Sequence, residues 1–219
     1  MNKILKFYIL YRLPIAIALL VAGLIFQLYL DTITAVLLYI ASAISFVLYI
    51  MVGTMRIVQE AVQEGDVEAA QRYIGQIKFP RLLFKPVRVG YYMLQSNLAM
   101  GTNDLGKAQA NIQKSLNTKS KLAGDTQGAS LMQLGFIQLK QGNLKEGREN
   151  LLAAIKAGIP DKEALAGAHL QLCTIEIHRN QNKVAKEHFR KAKALNPKTE
   201  ELVSQIKAMD KQISRIPGW

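Results

Sequence analysis

The stretch that decides the fold runs from Leu131 to Pro197: LMQLGFIQLK at 131–140, QGNLKEGREN at 141–150, LLAAIKAGIP at 151–160, DKEALAGAHL at 161–170, QLCTIEIHRN at 171–180, QNKVAKEHFR at 181–190 and KAKALNP at 191–197. It reads as two helical hairpins in tandem. In the first, Leu134-Gly135 precedes a break at Gly142-Asn143, after which Gly147, Leu151 and Ala154 follow at steps of four and three. In the second, Leu172-Cys173 precedes a break at Asn180-Gln181, and Ala185, Phe189 and Ala192 follow at the same steps. Each unit supplies a small residue where two helix backbones cross and a large one beside it to fill the remaining space.

The register extends upstream. Ala108, Ile112 and Ser115 follow Asn103-Asp104, and Ala70, Ile74 and Ile77 follow Gly65-Asp66. The small residue that opens each second helix therefore falls at 70, 108, 147 and 185, in steps of 38, 39 and 38. A fixed period of this size is the mark of stacked helix pairs.

On these residues the chain resembles the tetratricopeptide repeat (TPR) family over roughly residues 55 to 197. The leucine-type positions are Ile57, Leu94, Leu134 and Leu172, and the small residue expected after each is present as Gly135 and Cys173 but replaced by Val58 and Gln95. The spacing is also longer than the family's usual unit. The resemblance implies an all-α solenoid of about four helix pairs that binds other proteins. By the same analogy the concave face is lined by Tyr92, Ser96, Met132, Gln133, Phe136, Lys140, Gln171, Thr174 and His178. That lining is mostly apolar and neutral, which suits an amphipathic helix or an extended peptide better than a carboxylate-terminated tail. The same side chains also suit packing between repeats.

Ahead of the solenoid, residues 13–30 carry no charge, and a second uncharged run covers 33–53. At about 1.5 Å per residue each run is long enough for a hydrocarbon core of about 30 Å. No small-residue cleavage site follows the first run, and only Asp31-Thr32 separates it from the second. Residues 1–53 therefore read as a transmembrane helical hairpin, whose short polar turn, Asp31-Thr32, can cap its second helix. Small residues Ala16, Ala18, Ala22 and Gly23 are expected to face Ala41, Ser42 and Ser45, since close backbone approach drives association in lipid. Basic residues flank the hairpin at Lys3, Lys6, Arg12, Arg56 and Arg72, and none lies in its turn. By the positive-inside rule both termini and the solenoid face the cytoplasm, and a bacterial inner membrane is the expected location. No Pro, Gly-rich or charged linker precedes the first repeat, so the second membrane helix is expected to run on unbroken from Thr32 to Glu64.

The solenoid, 54–197, and a capping helix with tail, 198–219, complete the chain. Net charge is +12, and residues 54–219 contribute +10 of it from 25 basic and 15 acidic side chains. Such a balance favours an acidic partner or an anionic membrane surface. The connector from 78 to 88 carries Lys78, Arg81, Lys85 and Arg88 among Phe79, Leu82, Leu83 and Phe84, with Pro80 and Pro86 breaking helix. It reads either as a membrane-surface contact or as a loop folded back on the repeats. Nucleic acid is not an expected partner, because the bases are not sustained along one face. A polar connector at 117–126, with Lys119 and Lys121, reads as an exposed loop, and Trp219 ends the tail.

Asp161 is placed to cap the helix after Pro160. Leu202, Ile206, Met209 and Ile213 form the apolar face of the last helix. The single cysteine, Cys173, excludes an intrachain disulfide, and at a helix crossing it reads as a packing residue. His169, His178 and His188 are spaced too far apart for two to share one helical turn. Neither a catalytic constellation nor a phosphate-binding glycine loop is legible, and the expectation is a non-enzymatic adaptor without cofactor or metal. The alternative is an accessory or assembly subunit of a larger membrane complex, contacted through the hairpin.

Overall fold

The computed structural model describes residues 3–29, 31–118 and 126–215, which are helical with short connections and contain no strand. Residues 1–98 and 99–219 form two compact units.

The first unit opens with α1 (Lys3–Leu10), which passes through Tyr11 into α2 (Arg12–Tyr29), and α3 (Thr32–Val52) packs back along α2. As expected, Asp31 caps α3, its carboxylate accepting from the Thr34 amide at 3.0 Å and the Thr34 hydroxyl at 2.8 Å. The seam is held by small residues and polar links. Ala16, Gly23, Ser42 and Ser45 are buried, Ser42 Oγ donates to the Ala16 carbonyl at 2.7 Å, and Tyr39 Oη donates to Gln27 Oε1 at 2.6 Å. Gly23 lies beneath the Tyr39 ring so closely that a Cβ would stand 2.7 Å from Cε1. Ala18, expected in the seam, faces outward, because it lies two residues from Ala16 and therefore on the far side of the helix. Mean hydropathy reaches 1.9 in α2 and 2.4 in α3, so both are long and apolar enough to cross a membrane.

The continuous helix from Thr32 to Glu64 is not formed. Gly53 adopts φ +57, a left-handed conformation that ends α3, and the next helix, α4 (Met55–Gln63), starts anew after Thr54. The Thr54 hydroxyl is drawn aside to donate to the Tyr73 carbonyl at 2.7 Å. α4 pairs with α5 (Val67–Gly75), and a 3-10 turn (Pro80–Leu82) leads into α6 (Lys85–Gly101). Val58, Ala70, Ile74, Leu83 and Tyr91 form the core of this unit.

The second unit holds α7 (Leu105–Asn117), α8 (Thr126–Lys140), α9 (Leu144–Ala157), α10 (Lys162–His178), α11 (Asn182–Ala194) and α12 (Glu200–Ile213). Lys119 and Lys121 of the polar connector, and Trp219, lie outside the described residues.

The repeat period is written into the backbone as well as the side chains. The helix-to-helix turns carry a left-handed residue at Gly65, Asn103, Gly142 and Asn180, where L residues other than Asn and Asp rarely go. At each, the next amide closes back over the turn: Asp66 to the Ala61 carbonyl at 2.9 Å, Asp104 to Ala99 at 2.9 Å, Asn143 to Gln138 at 2.8 Å and Gln181 to Glu176 at 2.8 Å. This is the Schellman closure of a helix C-terminus, repeated in register. The small residues Ala70, Ala108, Gly147 and Ala185 that follow are all buried.

Asp161 caps α10 as expected, accepting from the Glu163 and Ala164 amides. α12 covers the last pair: Leu202, Ile206, Met209 and Ile213 pack on Leu170, Cys173, Ala185, Phe189 and Ala192. The start of α12 is held from α10, since Glu163 accepts from the Lys198 amide at 2.7 Å and from the Thr199 hydroxyl at 2.7 Å.

Candidate functional site

The residues assigned to a concave lining divide between surface and core. In the first unit Tyr92 is half-buried, edge-on to Tyr91 at 5.3 Å, and Ser96 is fully buried. In the second unit Met132 and Phe136, one turn apart on α8, are half-buried against Leu151, Ala154, Leu172 and Ile175. Gln133 is buried. Ser96 and Gln133 thus sit on the faces of their helices turned away from solvent. What the second unit exposes is Lys140 at the end of α8, with Gln171 and His178 on α10, and a half-buried Thr174 whose hydroxyl donates to the Leu170 carbonyl at 3.2 Å. Gln171, Thr174 and His178 share one stripe of α10 by their spacing.

Behind that stripe, two polar constellations bind the repeats together. Glu176, 1% exposed, is paired at 2.5 Å with Arg148 Nε of α9 and at 3.4 Å with Arg179 of its own helix. His169 of α10 and His188 of α11 are both buried and meet Nδ1 to Nδ1 at 3.0 Å, so in the neutral pair one imidazole donates to the other. Sequence spacing had kept these histidines apart; the hairpin turn at Asn180 brings them together. Burial lowers both pKa values. His169 falls to about 4, with the neighbouring His188 and Lys191 adding to the effect, and on His188 the Lys191 and Arg148 charges oppose protonation while Glu187 and Glu176 favour it. The unfolded chain takes up protons near pH 6.5 and the folded one does not. Stability is therefore complete above about pH 6.5 and is lost as pH falls toward 4. We expect the melting temperature to decline between pH 6.5 and 4.5, before most carboxylates titrate, and His169→Gln to flatten that decline. A profile unchanged by the substitution counts against the coupling.

Cys173 is fully buried, and burial pushes its thiol up to about 11, so it stays neutral and unreactive at pH 7. Among the described residues no three His, Cys, Asp or Glu groups stand close enough to hold a metal ion.

The basic connector forms a second surface, within the first unit. Lys78, Arg81 and Lys85 are exposed, as are Phe79, Leu82 and Phe84. Arg88 is half-buried, and its guanidinium donates to the Leu83 carbonyl at 3.1 Å. The connector is anchored to the end of α3 by the Phe84 amide, which donates to the Met51 carbonyl at 2.9 Å, and by Leu83, which is buried beside Gly53. Arg12 at the start of α2 is also buried, donating to the Leu48 and Gly53 carbonyls at 3.3 Å each. In the sequence it reads as one of the charges flanking the hairpin.

No protein-family model matches the chain, and no curated protein matches it. Nine chains of solved structures do. One belongs to the crystal structure of the APC/C hetero-tetramer Cut9–Hcn1, with a TM-score of 0.59 and 16% identity over 88% of this chain and 36% of that one. The present chain thus spans about a third of that chain's length. At this identity the likeness bears on fold alone, and that fold is an array of TPR-like helix pairs.

Proposed function

We propose that the protein is a membrane-anchored, non-enzymatic adaptor whose TPR-like repeats hold a protein partner on the cytoplasmic face of the bilayer. The observation that carries this reading is the exposure of the N-terminal hairpin. Only 17% of the most apolar window of α2, and the same share of α3, is buried. Ile17, Leu20, Leu24, Ile25, Leu37, Ile40, Ile44 and Val47 all stand outward. A soluble core hairpin would bury such faces; helices that are apolar all round and uncovered belong in lipid. On the repeats, an exposed polar stripe on α10 and the TPR-like architecture favour a peptide or helix as the occupant. The basic flanks favour the cytoplasmic side.

The alternative is an accessory subunit contacted through the hairpin, whose exposed apolar faces would meet another membrane protein as well as lipid. Carbonate-washed membranes from cells expressing the full chain test the anchor. We expect retention in the pellet, with a label fused after Trp219 accessible only from the cytoplasm. Release by carbonate, or a terminus protected from cytoplasmic protease, overturns the reading. Partner capture that survives removal of residues 1–53 supports the adaptor, and capture that requires them supports the accessory subunit.

A further inference from the structure

At the foot of the hairpin lies a cleft of about 250 Å³. Its walls come from three places: Leu10, Leu13 and Pro14 at the junction of α1 and α2, Tyr49, Ile50 and Gly53 at the end of α3, and Gln76 to Phe79 at the start of the basic connector. The side chains are predominantly apolar, and Lys78 supplies the cation. The connector cannot drift from this position, because the Phe84–Met51 hydrogen bond and the buried Leu83 hold it to the last turn of α3.

We infer that this cleft is a binding site for one anionic glycerophospholipid, part of an acyl chain lying between α2 and α3 and the phosphate meeting Lys78, with Arg81 and Lys85 adding to the attraction. The inference rests on the membrane-anchored reading above and names the ligand class of its basic patch. Three observations point to lipid rather than to peptide. The cleft opens where the two apolar helices end, which is headgroup level for a spanning hairpin. Exposed Phe79, Leu82 and Phe84 alternate with exposed Lys78, Arg81 and Lys85, the composition of a segment lying in the interface. The connector carries no acid of its own: no acidic residue occurs between Glu68 and Asp104, the acids of this unit being Asp31, at the opposite end of the hairpin, and Glu60, Glu64, Asp66 and Glu68 on and between α4 and α5. Lys6, whose Nζ lies 5.6 Å from the centre of the Tyr73 ring, adds a further cation to the same unit.

The test uses the full chain. Carbonate washing comes first: release from membranes removes the anchored reading and this site with it, whereas retention leaves the site to be judged alone. Purified full-length protein is then titrated with phosphatidylglycerol or phosphatidylcholine in detergent, and bound lipid is counted by native mass spectrometry. We expect one phosphatidylglycerol bound in preference to phosphatidylcholine, and a loss of about tenfold or more in that binding for Lys78→Glu/Arg81→Glu/Lys85→Glu. Leu10→Trp, which fills the cleft and leaves every charge in place, is expected to weaken binding as well. Circular dichroism verifies that each variant keeps its helices, and Lys78→Gln stands in for the triple variant if that one unfolds. Equal binding of the two lipids, or binding untouched by the substitutions, overturns the inference. So does loss with the charge variant alone, since attraction without the cleft is diffuse.

Discussion

Replacing Gly128 by alanine is expected to lower the melting temperature by about 10 °C, a loss of roughly 3 kcal/mol. The direction is the informative part. Within a helix, Gly→Ala ordinarily stabilises by up to about 1 kcal/mol, because glycine loses more backbone freedom on folding. At Gly128 a Cβ runs into the backbone carbonyl of Gly158, at the end of α9, and no rotamer change relieves a clash with main chain. α8 and α9 must separate, and the layer of Leu151, Ala154 and Met132 between them opens. Gly135 and Gly147 lie on the same crossing. A Cβ at Gly147 meets Leu139 Cδ2 at 2.6 Å, and one at Gly135 stands 3.0 Å from the Gly147 carbonyl oxygen. Gly106 in α7 is the control: it is exposed and a Cβ there meets nothing nearer than 3.9 Å. Gly106→Ala should be neutral or stabilising while Gly128→Ala is destabilising. Equal effects in thermal unfolding would mean that backbone contact does not set the α8–α9 distance.

The second large effect is expected at Arg148. Changing it to methionine leaves the Glu176 carboxylate at 1% exposure with only Arg179, 3.4 Å away, for company. Stranding a buried charge costs about 3–5 kcal/mol, and the half-exposed Arg179 should hold the loss near the lower figure, about 3 kcal/mol. Glu176→Leu is the revealing partner. Arg148 and Arg179 keep 29% and 50% of their side-chain surfaces exposed, so both can turn to water when the acid is removed. We expect Glu176→Leu to cost less than Arg148→Met, and the double variant to recover most of the loss, since a well-packed apolar pair serves as well as an ion pair in a core. Denaturant unfolding of the two single variants and the double measures the coupling. Additive losses would show that the pair does not act as a unit.

Much of the fold was legible because its determinants are local and recur. Ala70, Ala108, Gly147 and Ala185 mark a period that any helix pair must obey when two backbones cross, and Gly65, Asn103, Gly142 and Asn180 mark turns only a left-handed residue can make. The last helix was readable for the same reason, its apolar face repeating at helical spacing. The surface was less legible. Met132 and Phe136 look alike in sequence whether they line a groove or pack between repeats, because both uses ask for apolar residues one turn apart.

By itself the sequence determined the helical repeat, the two long apolar helices, and the uneven distribution of charge, all of which depend on composition and spacing along one chain. Tertiary structure decided what depends on segments far apart in that chain. Gly53 became a break rather than part of a long helix when Thr54 turned toward Tyr73. His169 found His188 across a hairpin, and Glu176 found Arg148 on another helix. The basic connector became one wall of a cleft because Leu83 is buried beside the end of α3. Each of these pairings joins residues 19 to 30 positions apart, a separation at which local spacing carries no information and the packing of helices carries all of it.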